Sequence, residues 1–209
     1  MNGILLVNKE PGITSRDVVN KVCKIFSTKK VGHTGTLDPL ASGVLVLCIG
    51  SATKVVEILT SNDKEYEAEM LLGISTDTYD ITGKILKVEE VFVSEEQIKT
   101  ALNGMVGTYE QEVPIYSAVK INGKKLYDYA RNNEEINLPS RSVTIKNISL
   151  LNIRDNNKRI TFKVQVSKGT YIRSLIRDIA KKLNTVGTMT KLIRTRQGNF
   201  SLDECYTLT

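Results

Sequence analysis

Apolar positions along the chain change period several times, and each change marks an element. Gly3-Ile4-Leu5-Leu6-Val7 is a short apolar run that predicts a buried strand. Val18, Val19, Val22, Cys23 and Phe26 then recur at helical spacing. Thr14 with Asp17 three residues on forms a capping box, so a helix is expected from about Ser15 to Phe26. Val44 to Ile49 is continuously apolar between Gly43 and Gly50, as in a strand buried on both faces. From Glu65 to Leu72 the period is two: Tyr66, Ala68, Met70 and Leu72 alternate with mostly charged residues, as in a half-buried strand. Ser94 with Gln97 starts another helix, which Gly104 ends. Lys124 to Arg131 reads as a short helix. Arg141–Ile153 and Arg159–Ser167 read as strands of a hairpin. Asp155-Asn156-Asn157 makes its turn, because Asp and Asn tolerate the left-handed backbone such turns need. The strongest helical pattern runs from Tyr171 to Leu183, with Ile172, Leu175, Ile176, Ile179 and Leu183 on one face and Thr170 as its expected cap. Strands and helices mix without a strict βαβ period, and hairpins recur. The expected class is α+β around a largely antiparallel sheet. With no repeat, linker or low-complexity tract, residues 1–209 are expected to form one domain.

Charge changes this picture more than composition does. The net charge is +6, but residues 158–196 hold eleven Lys and Arg against one acid, Asp178, a local +10 on a body of −4. Such a basic segment points to a polyanionic partner. Cys23, Cys48 and Cys205 are odd in number and far apart, as in buried thiols of a cytoplasmic protein. With one histidine and no paired cysteines, no metal site is expected. No apolar run reaches the ~18 residues needed to cross a membrane.

The densest chemistry lies in Gly32-His33-Thr34-Gly35-Thr36-Leu37-Asp38-Pro39-Leu40-Ala41-Ser42-Gly43, which holds the only histidine, three glycines and an aspartate fixed before a proline. Proline steers Asp38 out of the α region, and glycines let a ligand approach the backbone. A carboxylate on a stiff loop is a candidate nucleophile or base; the competing use of Asp-Pro is simply to start a turn. No Gly-x-x-x-x-Gly-Lys-Ser/Thr pattern occurs, which argues against a nucleotide-phosphate loop.

That dodecamer resembles the active-site loop of the tRNA pseudouridine synthase B family, enzymes that make pseudouridine-55 in the T arm of tRNA. The resemblance continues in order through Val7-Asn8-Lys9-Glu10-Pro11-Gly12-Ile13-Thr14-Ser15, Gly50-Ser51-Ala52-Thr53-Lys54, Lys64-Glu65-Tyr66 and Gly73-Ile74-Ser75-Thr76-Asp77-Thr78-Tyr79-Asp80-Ile81-Thr82-Gly83. Further on stand Pro114-Ile115-Tyr116-Ser117-Ala118-Val119-Lys120, Leu126-Tyr127-Asp128-Tyr129-Ala130-Arg131, Ser167-Lys168-Gly169-Thr170-Tyr171-Ile172-Arg173-Ser174-Leu175 and Leu192-Ile193-Arg194-Thr195. It implies the pseudouridine synthase fold, a curved mixed sheet with flanking helices and a central catalytic cleft. It also implies the T-arm stem-loop of tRNA as substrate, no cofactor and no obligatory protein partner. The family's usual C-terminal RNA-binding lobe would begin near Ser201–Thr209, where this chain stops, so no separate lobe is expected. One position departs from the family: Val113-Pro114 replaces two consecutive prolines, which is expected to loosen the local turn slightly.

The resemblance carries the catalytic aspartate onto Asp38, with attack on C1′ and removal of the C2′ proton both open as its role. The C1′–N1 bond breaks, the base turns, and C5 is joined to C1′. A buried carboxylate stays ionised only near a cation, and Arg173 is the expected ion-pair partner through its rigid fork. Arg177, four residues on, is expected to face solvent or RNA. The uridine must be flipped out of its loop and held against aromatic faces, for which Tyr66 and Tyr171 occupy the family's positions. Leu192 matches a substrate contact. His33 is expected to pack against the opened RNA loop, with a general-acid role as the alternative. Lys9 is expected to meet phosphate or to support the cleft. The competing function is a non-catalytic tRNA-binding or folding module on the same fold, which needs the basic segment and the tyrosines but not Asp38 with Arg173.

Overall fold

The computed structural model describes residues 2–208. In chain order, the N-terminal elements are β1 (Gly3–Lys9), α1 (Ser15–Ile25), β2 (Val31–His33), β3 (Ser42–Ile49), a 3-10 turn (Gly50–Val55), α2 (Val56–Thr60) and β4 (Lys64–Leu72). The middle carries β5 (Ile74–Thr76), β6 (Ile85–Val88), α3 (Glu95–Asn103), β7 (Gly107–Glu112), β8 (Lys120–Ile121), β9 (Lys124–Lys125) and α4 (Leu126–Arg131). The last part holds β10 (Ser140–Arg154), β11 (Arg159–Val166), α5 (Ile172–Lys182), β12 (Gly187–Gln197), β13 (Phe200–Ser201) and a closing 3-10 turn (Leu202–Glu204). Contacts group these elements into two compact units, a division the one-domain expectation did not make. The first takes the chain up to Ala68, Lys163–Lys168 and the chain from Lys191 on. The second takes Glu69–Phe162 and Gly169–Thr190.

In the first unit the strand order is β1-β3-β12-β4-β11. Strand β3 is the axis: Val44 to Cys48 have no exposed surface, because β1 and β2 pair antiparallel with it, β12 pairs parallel, and both of its faces are covered. The parallel pair is short, Ile193 with Ser42 and Arg194 with Gly43. It requires glycine at 43: φ is +105°, and a Cβ there would lie 2.3 Å from the Arg194 carbonyl oxygen. Helix α1 begins as expected, with Thr14 and Asp17 forming a reciprocal capping box, and it buries Val18, Val19 and Val22. In β4 the alternation is complete, with Lys64, Tyr66, Ala68, Met70 and Leu72 all turned inward.

In the second unit β4, β11, β10 and β7 are neighbours in that order. Helix α3, capped by Ser94 with Gln97 and ending at Gly104, packs on β10 and α5. Ile98 and Leu102 are buried, as are Ile145, Ile160, Phe162, Leu175 and Ile176. The Asp155-Asn156-Asn157 turn is left-handed at all three residues, with φ of +55°, +52° and +66°.

Three expectations change. Thr170 is not the cap of α5: the N-cap is Tyr171, and no side chain of its own closes that end. Lys124 and Lys125 belong to a small hairpin with Lys120–Ile121, so the short helix begins at Leu126. Val113-Pro114 does not loosen its turn. The Val113 N–H, which a proline would lack, donates to the Pro139 carbonyl at 2.9 Å, and Val113 is fully buried. Among the described residues, no helix is long and apolar enough to cross a membrane.

Candidate functional site

In the first unit, the backbone on both sides of Asp38 is fixed from the N-terminal motif. Ser15, the first residue of α1, exchanges two bonds with Leu37: its hydroxyl accepts from the Leu37 N–H at 2.9 Å and donates to the Leu37 carbonyl at 3.1 Å. On the other side, the Pro39 carbonyl accepts from the Gly12 N–H at 2.8 Å and from Lys9 Nζ at 3.3 Å. The Ala41 N–H closes the turn onto the Asp38 carbonyl at 3.0 Å. Asp38 itself is half-buried. Its immediate neighbours are thus fixed by side chains more than twenty residues away, which spares the loop the entropy of finding that geometry.

Lys9 has no exposed surface. Its ammonium donates to the carbonyls of Glu10 and Ile13, at 2.9 and 2.7 Å, as well as to Pro39. Burial lowers its pKa to about 8, against the opposing pull of the Asp38 charge. All three of its donors are spent on backbone. Arg194 is 1% exposed and ties β12 to the same loop, donating to the Val44 carbonyl at 2.7 Å and the Gly35 carbonyl at 3.1 Å. Gln197, also fully buried, donates to the hydroxyl and carbonyl of Thr34, at 2.5 and 3.2 Å. Neither Arg194 nor Gln197 was expected as a support of this loop.

His33 ends β2, opposite Leu47. Its Nδ1 accepts from the Gly35 N–H at 3.4 Å. Burial, with Arg16 and Arg194 nearby, holds the imidazole below its usual pKa, so the ring is neutral at neutral pH. A neutral ring suits packing better than acid catalysis. Tyr66, 7% exposed, stands on the inward face of β4, and Leu192, 5% exposed, on β12, its neighbour in the sheet.

In the second unit, Arg173 lies in the first turn of α5 and is 6% exposed. Two of its guanidinium nitrogens donate to backbone: Nη1 to the Thr78 carbonyl at 3.0 Å and Nη2 to the Tyr116 carbonyl at 3.1 Å. A planar fork gripped by two carbonyls from separate loops has one orientation. Tyr171 precedes it, half-buried, with its N–H on Gln111 Oε1 at 2.8 Å and the Arg141 guanidinium 5.6 Å from its ring centroid. Arg177 does not face solvent. It bonds Glu112, lies 5.1 Å from the Tyr79 ring centroid, and donates twice to Asp178, at 3.0 and 2.9 Å.

The basic segment is smaller than its count. Arg173 and Arg194 are buried, Arg177 is paired, Arg159 bonds Glu69 and Asp155, and Lys163 bonds Glu65. Lys158, Lys168, Lys181, Lys182, Lys191 and Arg196 remain exposed for a polyanion. Among the described residues, no group of three or more His, Cys, Asp or Glu is placed to hold a metal ion.

Comparison with known proteins places this geometry. The model of the TruB family pseudouridylate synthase N-terminal domain matches residues 23–172. The tRNA pseudouridine synthase B of Bacillus pumilus (strain SAFR-032) is 53% identical over 213 residues, spanning 100% of this chain and 69% of that relative. Its namesake from Fusobacterium nucleatum subsp. nucleatum is 49% identical over 203 residues, spanning 97% of this chain and 70% of its own. Among solved structures, a chain of a Cbf5-Nop10-Gar1 complex superposes with a TM-score of 0.77 at 34% identity, covering 99% of this chain. A chain of an H/ACA RNP bound to a substrate RNA containing 2′-deoxyuridine gives 0.73 at 32%, covering 98%. This chain spans only about half the length of those two, 52% and 50%. With half its residues identical along its full length, and a shared fold persisting at 34% identity, the chain belongs to the TruB family of pseudouridylate synthases.

Proposed function

We propose that the protein converts uridine-55 in the T-arm stem-loop of tRNA to pseudouridine, in the cytoplasm, without an obligatory protein partner or cofactor. The observation that carries this reading is the fixing of the Asp38 loop by Ser15, Gly12 and Lys9. A merely structural Asp-Pro turn needs no such support, whereas a carboxylate that must meet one carbon of a flipped nucleotide does. The names of the relatives supply the substrate class, tRNA.

In this reading the uridine leaves its stack and enters the site. Asp38 acts at the ribose, on C1′ or on the C2′ proton, and the C1′–N1 bond breaks. The freed uracil turns, with Tyr66, Tyr171 and Leu192 as its proposed contacts, and C5 bonds to C1′ while its proton is lost and N1 gains one. In the same reading Arg173 is the ion-pair partner of Asp38 through its planar fork. His33, neutral, packs against the opened RNA loop, and Lys9 holds the catalytic loop in place.

The test is incubation with a T-arm stem-loop, with pseudouridine mapped by chemical tagging. Wild type is expected to modify the one position, and Asp38→Asn to lose turnover while RNA affinity stays within about threefold. Residual activity above about one percent would remove Asp38 from its role. RNA binding with no product from wild type would leave the non-catalytic module as the reading.

A further inference from the structure

The N-cap of α5, Tyr171, makes no side-chain cap hydrogen bond, and its own N–H lies outside the helical ladder. Gln111, fully buried on β7, accepts that N–H on Oε1 at 2.8 Å. A buried amide presents oxygen in only one of its two orientations. The neighbouring groups set which one. The Asp178 carboxylate accepts only; its Oδ1 takes two bonds from Arg177, and its Oδ2 takes the Tyr109 hydroxyl at 3.2 Å. Tyr109, having given its one proton, accepts from Gln111 Nε2 at 2.7 Å. The amide oxygen is thereby left for Tyr171. Burial and the Asp178 charge both raise the Tyr109 pKa, so the phenol keeps that proton. The ring of Tyr171 is held from the adjacent strand, because Arg141, which approaches it, is the direct partner of Gln111 in the β7–β10 pair.

We propose that Gln111 is a positioning residue: oriented by the Asp178–Tyr109 relay, it fixes the start of α5 and so aims Tyr171 at the flipped base. This rests on the base-holding role proposed for Tyr171. The relay runs from a charge on the outer turn of the helix to the backbone at its first turn. Its loss alters how the base is held and leaves phosphate contacts alone.

The experiment pairs site-resolved amide exchange at Tyr171 with single-turnover pseudouridine formation and stem-loop affinity. Gln111→Ala is expected to speed Tyr171 exchange and to slow the chemical step, each by about five- to tenfold, with affinity within twofold. Tyr109→Phe keeps the packing but removes the acceptor that orients the amide, and moves both readouts the same way by less. Because Tyr109 acts through Gln111, the double variant is expected to match Gln111→Ala alone; additive losses would overturn the relay. Gln111→Glu keeps an oxygen for Tyr171 but loses the Nε2 donor to Tyr109, and is expected to recover protection and rate only in part; full recovery would overturn the relay. Unchanged exchange in Gln111→Ala overturns the cap, and faster exchange at full rate overturns the positioning role. If Tyr171→Ala keeps full rate, the base-holding reading fails and the positioning role falls with it, while the exchange data still report whether the cap exists.

Discussion

Lys9→Met tests the support of the Asp38 loop and the buried charge together. Methionine matches the length of the lysine stem but ends without a donor, so the carbonyls of Glu10, Ile13 and Pro39 lose a shared partner. Charge-assisted bonds to backbone stabilise by about 1.5–3 kcal/mol each, and burying the ammonium offsets much of that. The net loss expected at pH 7 is about 1–3 kcal/mol. The pH dependence isolates the charge. In the unfolded chain Lys9 titrates near its ordinary 10.5, in the folded protein at about 8. Between those values the unfolded state binds more protons, so this residue makes stability rise with pH there. At 1.36 kcal/mol per pH unit, wild type gains about 2–3 kcal/mol from Lys9 between pH 7 and 10, and the methionine variant gains none of it. The gap between the two proteins is therefore expected to widen to about 3–6 kcal/mol at pH 10. Lys64, buried with its pKa also lowered to about 8, is common to both and cancels. The chain has no tryptophan, so urea unfolding at pH 7 and 10 is followed by circular dichroism. A gap that is the same at both pH values would refute the buried, charged Lys9 described above.

Arg173→Lys keeps the charge but loses the fork that reaches Thr78 and Tyr116; the single-turnover rate is expected to fall about tenfold or more with little change in affinity, whereas the half-exposed control Arg154→Lys shows neither. Weaker binding at a normal rate would make Arg173 a phosphate contact. The log-affinity against log-salt slope is expected to be no steeper than about −4, from six exposed cations at about −0.7 each; a slope near −8 would mean that the paired arginines open to meet RNA. Gly43→Ala places a methyl 2.3 Å from the Arg194 carbonyl at a left-handed φ, and is expected to cost about 3 kcal/mol or more in a thermal melt; a loss under about 1 kcal/mol would show that β3 and β12 separate easily.

Much of the fold was legible because apolar spacing carried it: α1, β3, β4 and the face of α5 all sit where apolar side chains recur at a helical, continuous or alternating period. Strand β12 was not legible, although it runs beside β3. The side chains it buries mix Met189 and Leu192 with Thr188, Arg194 and Gln197, so no hydrophobic alternation marks it. Strand β7, Gly-Thr-Tyr-Glu-Gln-Glu, hides in the same way, and Gln111 with it. The cap of α5 was missed because its acceptor lies 60 residues away, beyond any local motif. At the site, the spacing of Asp38-Pro39 and the N-terminal motif were visible, but not that Ser15 and Lys9 hold that loop, since such contacts depend on the tertiary fold. The exposed role expected for Arg177 failed for a related reason: a charge at helical spacing looks solvated until Glu112 arrives from another strand.

The bonds from Arg194 to Val44 and Gly35 span 150 and 159 residues, and Gln197 reaches Thr34 across 163. A chain made from its N-terminus therefore builds the Asp38 loop early and completes it only after at least 150 further residues. At ribosomal speeds of about 5–20 residues per second, the segment around Gly43 waits roughly 8–30 s for its parallel partner. Through that interval Ser42 and Gly43 stand without their parallel partner, while β1 and β2, made earlier, pair with the rest of β3. A chain released near residue 190 therefore lacks the bonds from Arg194 and Gln197 that close the Asp38 loop.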